Sequence, residues 1–193
     1  MEFSAGITEK GFLTDQGLPV TPYRAVRSIE DLEEGLEELG APAVLKTTRL
    51  GYDGRGQRVI EADNDLAAVY ESLSPRPLVL EAFAPFEKEI SVIVARGLGG
   101  DVASYDPAEN AHRNHILATS TVPADVWLAT AAGARRLAER IVLGLDYVGV
   151  LGVELFAMPQ GKLLVNEIAP RVHNSGHWTE AVCPTDQFEQ HIR

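Results

Sequence analysis

Glu154 and Glu167 are the first residues from which chemistry can be built. They lie in LGVELFAMPQGKLLVNEIAPRVHNSGHW, residues 151–178, where apolar β-branched runs flank Met158-Pro159-Gln160-Gly161. That pattern predicts a hairpin of two buried strands. With the turn centred between Gln160 and Gly161, Glu154 faces Glu167 across the ladder. Val150, Gly152 and Phe156 share that face on one strand, and Leu163, Val165 and Ala169 on the other. Two carboxylates directly opposite each other repel across roughly 5 Å, and burying even one unpaired carboxylate is costly. A divalent cation between them resolves both problems, and oxygen-only ligands point to magnesium rather than zinc. Either glutamate could instead lie at a strand end in water or pair with Arg171, and an off-centre turn would break the register.

Three other stretches carry candidate chemistry. LGYDGRGQ, residues 50–57, sets three glycines between two strands, so backbone N–H groups can turn toward a phosphate. It matches neither the P-loop nor the dinucleotide fingerprint, and alone it reads equally well as a tight hairpin turn. Lys46, in the apolar strand just before it, needs an anionic partner there, or else lies at a sheet edge with its ammonium in water. In LEAFAPFEKEIS, Glu81 ends one apolar run and Glu89 opens the next. Free backbone groups at such a strand end could read a nucleoside, although a solvated terminus is the commoner arrangement. His112, in a polar stretch expected to be a loop, carries no more than that. Arg171, His173 and Asn174 follow directly on the second acidic strand. A guanidinium there suits planar anions, and His173 suits proton transfer. Neither a Cys/His zinc site nor a serine-hydrolase elbow is supported.

The elements that must position these residues fall into two groups. Residues 1–19 predict a leading helix, Thr8 to Gln16, and a Pro-marked connector. Residues 20–77 alternate strand and helix as a small α/β lobe. Ser28 with Asp31 forms a capping box over a stripe of Ile29, Leu32, Leu36 and Leu39, and Asp63 caps a further helix. Residues 78–193 predict serial antiparallel strands, with PAENAHRNH as a polar loop. A long helix from Asp125 to Leu143 and the acidic hairpin follow. The last stretch, TDQFEQHIR, reads as a helix capped by Thr185 that runs into Arg193 without a stop signal, as a segment of a longer chain would.

Composition bounds the partners. With 45% hydrophobic and 23% charged residues, the chain is ordinary for a globular protein. A net charge of −11 argues against nucleic acid. Cys183 is the only cysteine, so no intrachain disulfide exists, and a cytoplasmic location is expected. No signal peptide or membrane-spanning run is read, so no membrane partner is expected.

VLKTTRLGYDGRGQ, LEAFAPFEKEISVIVARG, ENAHRNHILATSTVPA, LDYVGVLGVELF and VNEIAPRVHNSGHWT occur in this order. Together they closely resemble the ATP-grasp region of the N5-carboxyaminoimidazole ribonucleotide synthetases, the ATPase subunit of phosphoribosylaminoimidazole carboxylase in de novo purine synthesis. The resemblance implies an α+β ATP-grasp fold, a small α/β lobe plus a larger antiparallel-sheet lobe with ATP between them. It implies bicarbonate- and ATP-dependent carboxylation of 5-aminoimidazole ribonucleotide through carboxyphosphate. Carried onto matching positions, Lys46 and the loop of Gly51, Tyr52, Asp53, Gly54, Arg55, Gly56 and Gln57 would hold the phosphates. Tyr52, Asp53 and Arg55 would also touch the ribonucleotide. Glu81, Ala82, Phe83, Ala84 and Glu89 would bind adenine and ribose, with His112 at the nucleotide. Glu154 and Glu167 would hold Mg2+ with Asn166 nearby, and Arg171, His173 and Asn174 would surround bicarbonate.

The resemblance also has departures. Many ATP-grasp proteins carry an Asn where this chain has Ala169, and the family's N-terminal nucleotide-fold domain and most of its C-terminal segment have no counterpart here. A truncated module that binds Mg·ATP without full turnover is therefore the alternative, ahead of another purine-synthesis ligase. Relatives are commonly dimers, so a homodimer stands as a possible assembly.

Overall fold

Short apolar runs broken by Pro and Gly fold into two sheets in the computed structural model, which describes residues 6–48, 56–113 and 116–193. The chain divides into two compact units. One holds the segment up to Asp15 and Val20–Ala84, and the other holds Gln16–Pro19 and Pro85–Arg193.

In the first unit, helix α1 (Gly6–Asp15) precedes strand β1 (Tyr23–Val26), helix α2 (Ile29–Leu39) and strands β2 (Ala43–Thr47) and β3 (Gln57–Ile60). Helix α3 (Leu66–Leu73) and strand β4 (Leu78–Ala82) complete it. The sheet order is β1-β4-β2-β3, and every pair is antiparallel. Leu78–Ala82, expected to open the second lobe, instead lies inside this sheet, buried over Leu78, Val79, Leu80 and Glu81. The serial-strand pattern after residue 78 hides the change of sheet, because β4 and β5 read alike.

The Ser28 cap forms as expected, its Oγ accepting from Asp31 N–H at 3.2 Å. Asp31 returns a bond one residue further back, to Arg27 N–H at 2.9 Å. Leu32 is fully buried in a core with Val26, Leu45, Ile60 and Leu80, and Ile29, Leu36 and Leu39 pack against it. Asp65, not Asp63, caps α3, accepting from Ala68 N–H at 3.2 Å.

The second unit is a sheet ordered β10-β9-β5-β7-β8, with β6 beside β5. Its strands are β5 (Lys88–Arg96), β6 (Val102–Ser104), β7 (Ala108–Arg113), β8 (Ile116–Thr121), β9 (Gly149–Ala157) and β10 (Leu163–Ala169). Helix α4 (Leu128–Gly144) packs on this sheet through Ala134, Ala138, Ile141 and Val142, and short helices α5 (Thr179–Val182) and α6 (Gln187–Ile192) end the chain. Three expectations are corrected. The polar stretch read as a loop is strand β7, whose Ala108 and Asn110 are buried, so His112 sits on a strand. The long helix starts at Leu128 and not at Asp125, whose backbone N–H donates to Glu109 Oε2 at 3.2 Å and whose carboxylate meets Lys88 Nζ at 2.9 Å. Asp186 rather than Thr185 caps α6, accepting from Phe188 and Glu189 N–H. Among the described residues no helix is long and apolar enough to cross a membrane.

Candidate functional site

The β9–β10 hairpin shows how the sequence brings two like charges together. Near its turn the pairs are Ala157 with Leu163, Phe156 with Leu164 and Leu155 with Val165. A register shift at Asn166 then sets Glu154 opposite Glu167, Val153 opposite Ile168 and Gly152 opposite Ala169. The acid pair expected from a centred turn is therefore present, but it arises from an off-centre turn corrected by a bulge. The bulge also moves residues between faces. Leu163 and Val165 lie on the α4 side, where a Cβ at Gly133 would meet Leu163 Cδ1 at 3.4 Å. Leu164 takes their expected place beside Phe156.

Burial differs from expectation too. Glu154 is the one residue of β9 that is not buried, with its side chain 20% exposed, and Glu167 is exposed. The repulsion is therefore relieved partly by water. Asn166 turns its Nδ2 toward Glu154 Oε2 at 3.5 Å. Ser91 is the cross-strand neighbour of Glu154 on β5, so it shares the acidic face. It is 1% exposed, and its Oγ lacks a hydrogen-bond partner among the described residues.

His173 completes the cluster. One ligand atom each from Glu154, Glu167 and His173 lie within 4.8 Å of one another, and His173 Nε2 is 3.6 Å from Glu154 Oε1. The ring packs over Gly152, where an added Cβ would lie 2.8 Å from His173 Cβ. Nδ1 faces Ser175 Oγ at 2.8 Å, and a hydroxyl can serve either imidazole tautomer. Two carboxylates, an imidazole and an unpartnered buried hydroxyl on one face fit a divalent cation that keeps some water. Sequence spacing suggested the acids alone. That His173 joins them depends on the chain folding back over a glycine, which no local pattern announces.

Burial lowers the His173 pKa to about 4, and the neighbouring Arg171, His177 and His112 act in the same direction. The ring is neutral at pH 7, so its approach to Glu154 is that of an imidazole and a carboxylate, not an ion pair. The ordinary value of 6.5 lies above the folded one, so as pH falls the unfolded chain binds this proton first. Stability present above pH 6.5 is therefore lost as pH falls toward 4, by on the order of 3 kcal/mol for this group. In metal-free buffer, thermal melts between pH 7 and pH 4.5 should show a steeper loss for the wild type than for His173→Gln. Parallel curves would refute this account of the ring.

The remaining expected residues separate into distinct sets. On the same sheet, His112 Nδ1 lies 2.5 Å from Glu89 Oε2. Arg171 is exposed with its guanidinium on Val172 O at 2.9 Å, and Asn174 Oδ1 accepts from Ser175 N–H at 2.9 Å. In the first unit, Lys46 Nζ meets Glu81 Oε2 at 3.1 Å, which supplies the anionic partner its strand position demanded. Lys10, unmarked in the sequence because α1 shows no apolar stripe, reaches the same oxygen at 3.4 Å. Burial lowers its pKa, against the opposing pull of Glu81. Glu81 is 5% exposed, so its carboxylate is committed to lysines rather than free at a strand end. The backbone N–H groups of Ala82 and Phe83, expected to be free, donate to Pro22 and Pro42 carbonyls; Ala84 follows them. Gly56 O accepts from Thr47 N–H at 2.7 Å, and Gln57 pairs with Lys46. Gly51, Tyr52, Asp53, Gly54 and Arg55 lie outside the described residues.

An antiparallel α/β unit, a lysine–glutamate strand pair and a second sheet bearing paired acids are the marks of one class. The chain belongs to the ATP-grasp family, whose domain model matches residues 11–188. It is 52% identical over 188 residues to N5-carboxyaminoimidazole ribonucleotide synthase of Brucella melitensis, covering 96% of this chain and 52% of that protein. Against the synthase of Bacillus subtilis it is 45% identical, covering 96% and 49%. It is similar to a crystal structure of an ADP complex of N5-carboxyaminoimidazole ribonucleotide synthetase, with TM-score 0.95, 44% identity, and 98% and 50% of the two chains covered. The Aspergillus clavatus synthase, in complex with ADP and 5-aminoimidazole ribonucleotide, gives TM-score 0.91 at 32% identity, again covering 98% and 50%. The chain spans about half the length of the curated relatives it matches.

Proposed function

We propose that this chain is the ATP-grasp part of an enzyme that carboxylates 5-aminoimidazole ribonucleotide with bicarbonate and ATP. The observation that carries this reading is the Glu154–Glu167–His173 cluster, on a chain 52% identical to such a synthase. The γ-phosphoryl group of ATP passes to a bicarbonate oxygen, leaving ADP and carboxyphosphate. The exocyclic amine of the ribonucleotide then attacks the carbonyl carbon, phosphate departs with the C–O electron pair, and the amine gives up a proton.

Phosphoryl transfer asks little covalent work of a protein, so positioning and charge supply most of the rate. Lys46, held by Glu81, and the glycine-rich loop from Gly51 to Gln57 would bind the phosphates. Glu89 and His112, with the Glu81–Ala84 strand end, would bind the nucleoside. Glu154 and Glu167 would hold Mg2+ with Asn166 beside them, and the ion would neutralise phosphate charge. Arg171 and Asn174 would orient bicarbonate, and neutral His173 offers an acceptor nitrogen among them. Tyr52, Asp53 and Arg55 would meet the ribonucleotide. The reading places the chain in the cytoplasm, where a lone cysteine stays reduced.

The half-length match supports a second reading, a module that binds Mg·ATP without completing carboxylation. Phosphate release from ATP with bicarbonate, measured with and without 5-aminoimidazole ribonucleotide, separates the two. Release stimulated by the ribonucleotide is the expected result. Mg2+-dependent ATP binding without release would favour the module, and absence of such binding would overturn both.

A further inference from the structure

We propose that Gln187 is a positioning residue, holding the peptide of His173 so that the imidazole stays beside Glu154. This rests on the reading of the acidic cluster given above and deepens it. His173 follows β10 in extended backbone, φ −125° and ψ 148°, and no strand among the described residues pairs with it. Its N–H donates to Gln187 Oε1 at 2.9 Å, and its carbonyl accepts from Gln187 Nε2 at 2.7 Å. One side-chain amide thus serves both backbone groups of a residue that is 5% exposed. Without Gln187 the carbonyl would keep only Gly176 N–H, at 3.0 Å, and the His173 N–H would lose its Gln187 acceptor in a buried place, which a fold avoids.

Gln187 is itself fixed. It is fully buried, and its backbone N–H donates to Thr179 Oγ1 at 3.1 Å. That hydroxyl in turn donates to Gly176 O at 2.7 Å. Gly176 is bare for the same reason: a Cβ there would fall 2.5 Å from Gln187 Oε1. One turn further along α6, His191 Nδ1 accepts from Val150 N–H at 3.1 Å. Residues four apart share a helix face, so α6 is tied both to the His173 peptide and to β9, the strand that carries Glu154. A glutamine with only a packing role would need neither amide atom aligned.

The test uses the full chain and the variants Gln187→Met, which keeps the volume and removes both hydrogen bonds, and Gln187→Glu, which keeps only the acceptor. Mn2+ is the probe, its affinity read by electron paramagnetic resonance in the presence of ADP. Gln187→Met should bind Mn2+ about tenfold more weakly, the size seen when an orienting partner of a ligand is lost, with Gln187→Glu between it and the wild type. The His173 amide should exchange with solvent about tenfold faster in Gln187→Met, while the Val153 amide in β9 stays protected. Ile141→Val, in the α4 core, serves as a destabilised control that should keep wild-type Mn2+ affinity. Unchanged Mn2+ affinity in Gln187→Met, or an equal loss in Ile141→Val, would overturn the proposal. If the wild type binds no Mn2+, the cluster reading fails by itself. The His173 exchange rate then decides alone, and an unchanged rate would refute positioning.

Discussion

Glu154→Gln should raise the stability of the metal-free chain and at the same time remove its metal-dependent nucleotide binding. The two effects have opposite signs because the carboxylate is unfavourable for the fold. Glu154 and Glu167 are direct cross-strand partners, and like charges in that arrangement destabilise a sheet by roughly 0.2–1 kcal/mol. Neutralising one removes that term and should raise the melting temperature in chelator by about 1–3 °C. Proposed ligation works the other way. Withdrawing one of two charged ligands leaves the bound phosphates and cation short of a full charge, a loss of about 3 kcal/mol or roughly 100-fold in affinity. Nucleotide titrations with Mg2+ and with chelator should differ widely for the wild type and hardly at all for Glu154→Gln. Glu167→Gln should behave similarly, with a smaller gain in stability because Glu167 is already in water. If both variants kept full Mg2+ dependence, the acids would have no role in metal binding.

The acid pair was legible in the sequence for a reason that proved only half sufficient. Two β-branched runs around a Pro-Gln-Gly turn specify a hairpin, and their spacing brought Glu154 to Glu167. The spacing could not reveal that the turn is displaced and that Asn166 bulges to restore the pairing. Those two one-residue shifts cancel at the glutamates and not at Leu163 and Val165, whose face was misassigned. Lys46 was legible because a lysine in an apolar strand demands an anion, but the identity of that anion depends on which strands are neighbours. The break between β4 and β5 resembles the other strand breaks that follow it. Only the sheet order reveals that Glu81 sits beside Lys46 and that Lys10 shares it. His112 lay in a stretch too polar to suggest a strand. β7 tolerates that polarity because Asn110 bonds Ser120 at 2.8 Å and His112 faces Glu89, so polar side chains pair across strands. Gln187 left no trace in periodicity at all, since its partner is a peptide group and not a side chain.

Gly152→Ala should disable the site from a position bearing no functional group. Gly152 lies within β9, between Ile93 of β5 and Ala169 of β10, where a strand would ordinarily gain from a side chain. An alanine Cβ would stand 2.8 Å from His173 Cβ and 3.0 Å from its Cγ. Those atoms lie near the backbone, so a change of rotamer alone cannot clear them. The segment from Val172 onward must lift instead, against the Gln187 bonds to the His173 peptide. Overpacking of this kind costs about 1–3 kcal/mol, or roughly 2–10 °C in melting temperature for a chain of this size. The lifted ring also leaves its 3.6 Å approach to Glu154. Mn2+ affinity should therefore fall along with stability, about as far as in His173→Ala. The double variant Gly152→Ala/His173→Gly, which removes the Cβ and Cγ that the methyl would meet, separates this steric cause from a general intolerance of the strand. With the whole side chain gone, Cβ included, the added methyl has room, and most of the stability cost of Gly152→Ala should disappear as a coupling between the two positions. If the alanine cost as much without His173 as with it, the glycine would be required by the strand itself and not by the ring it admits.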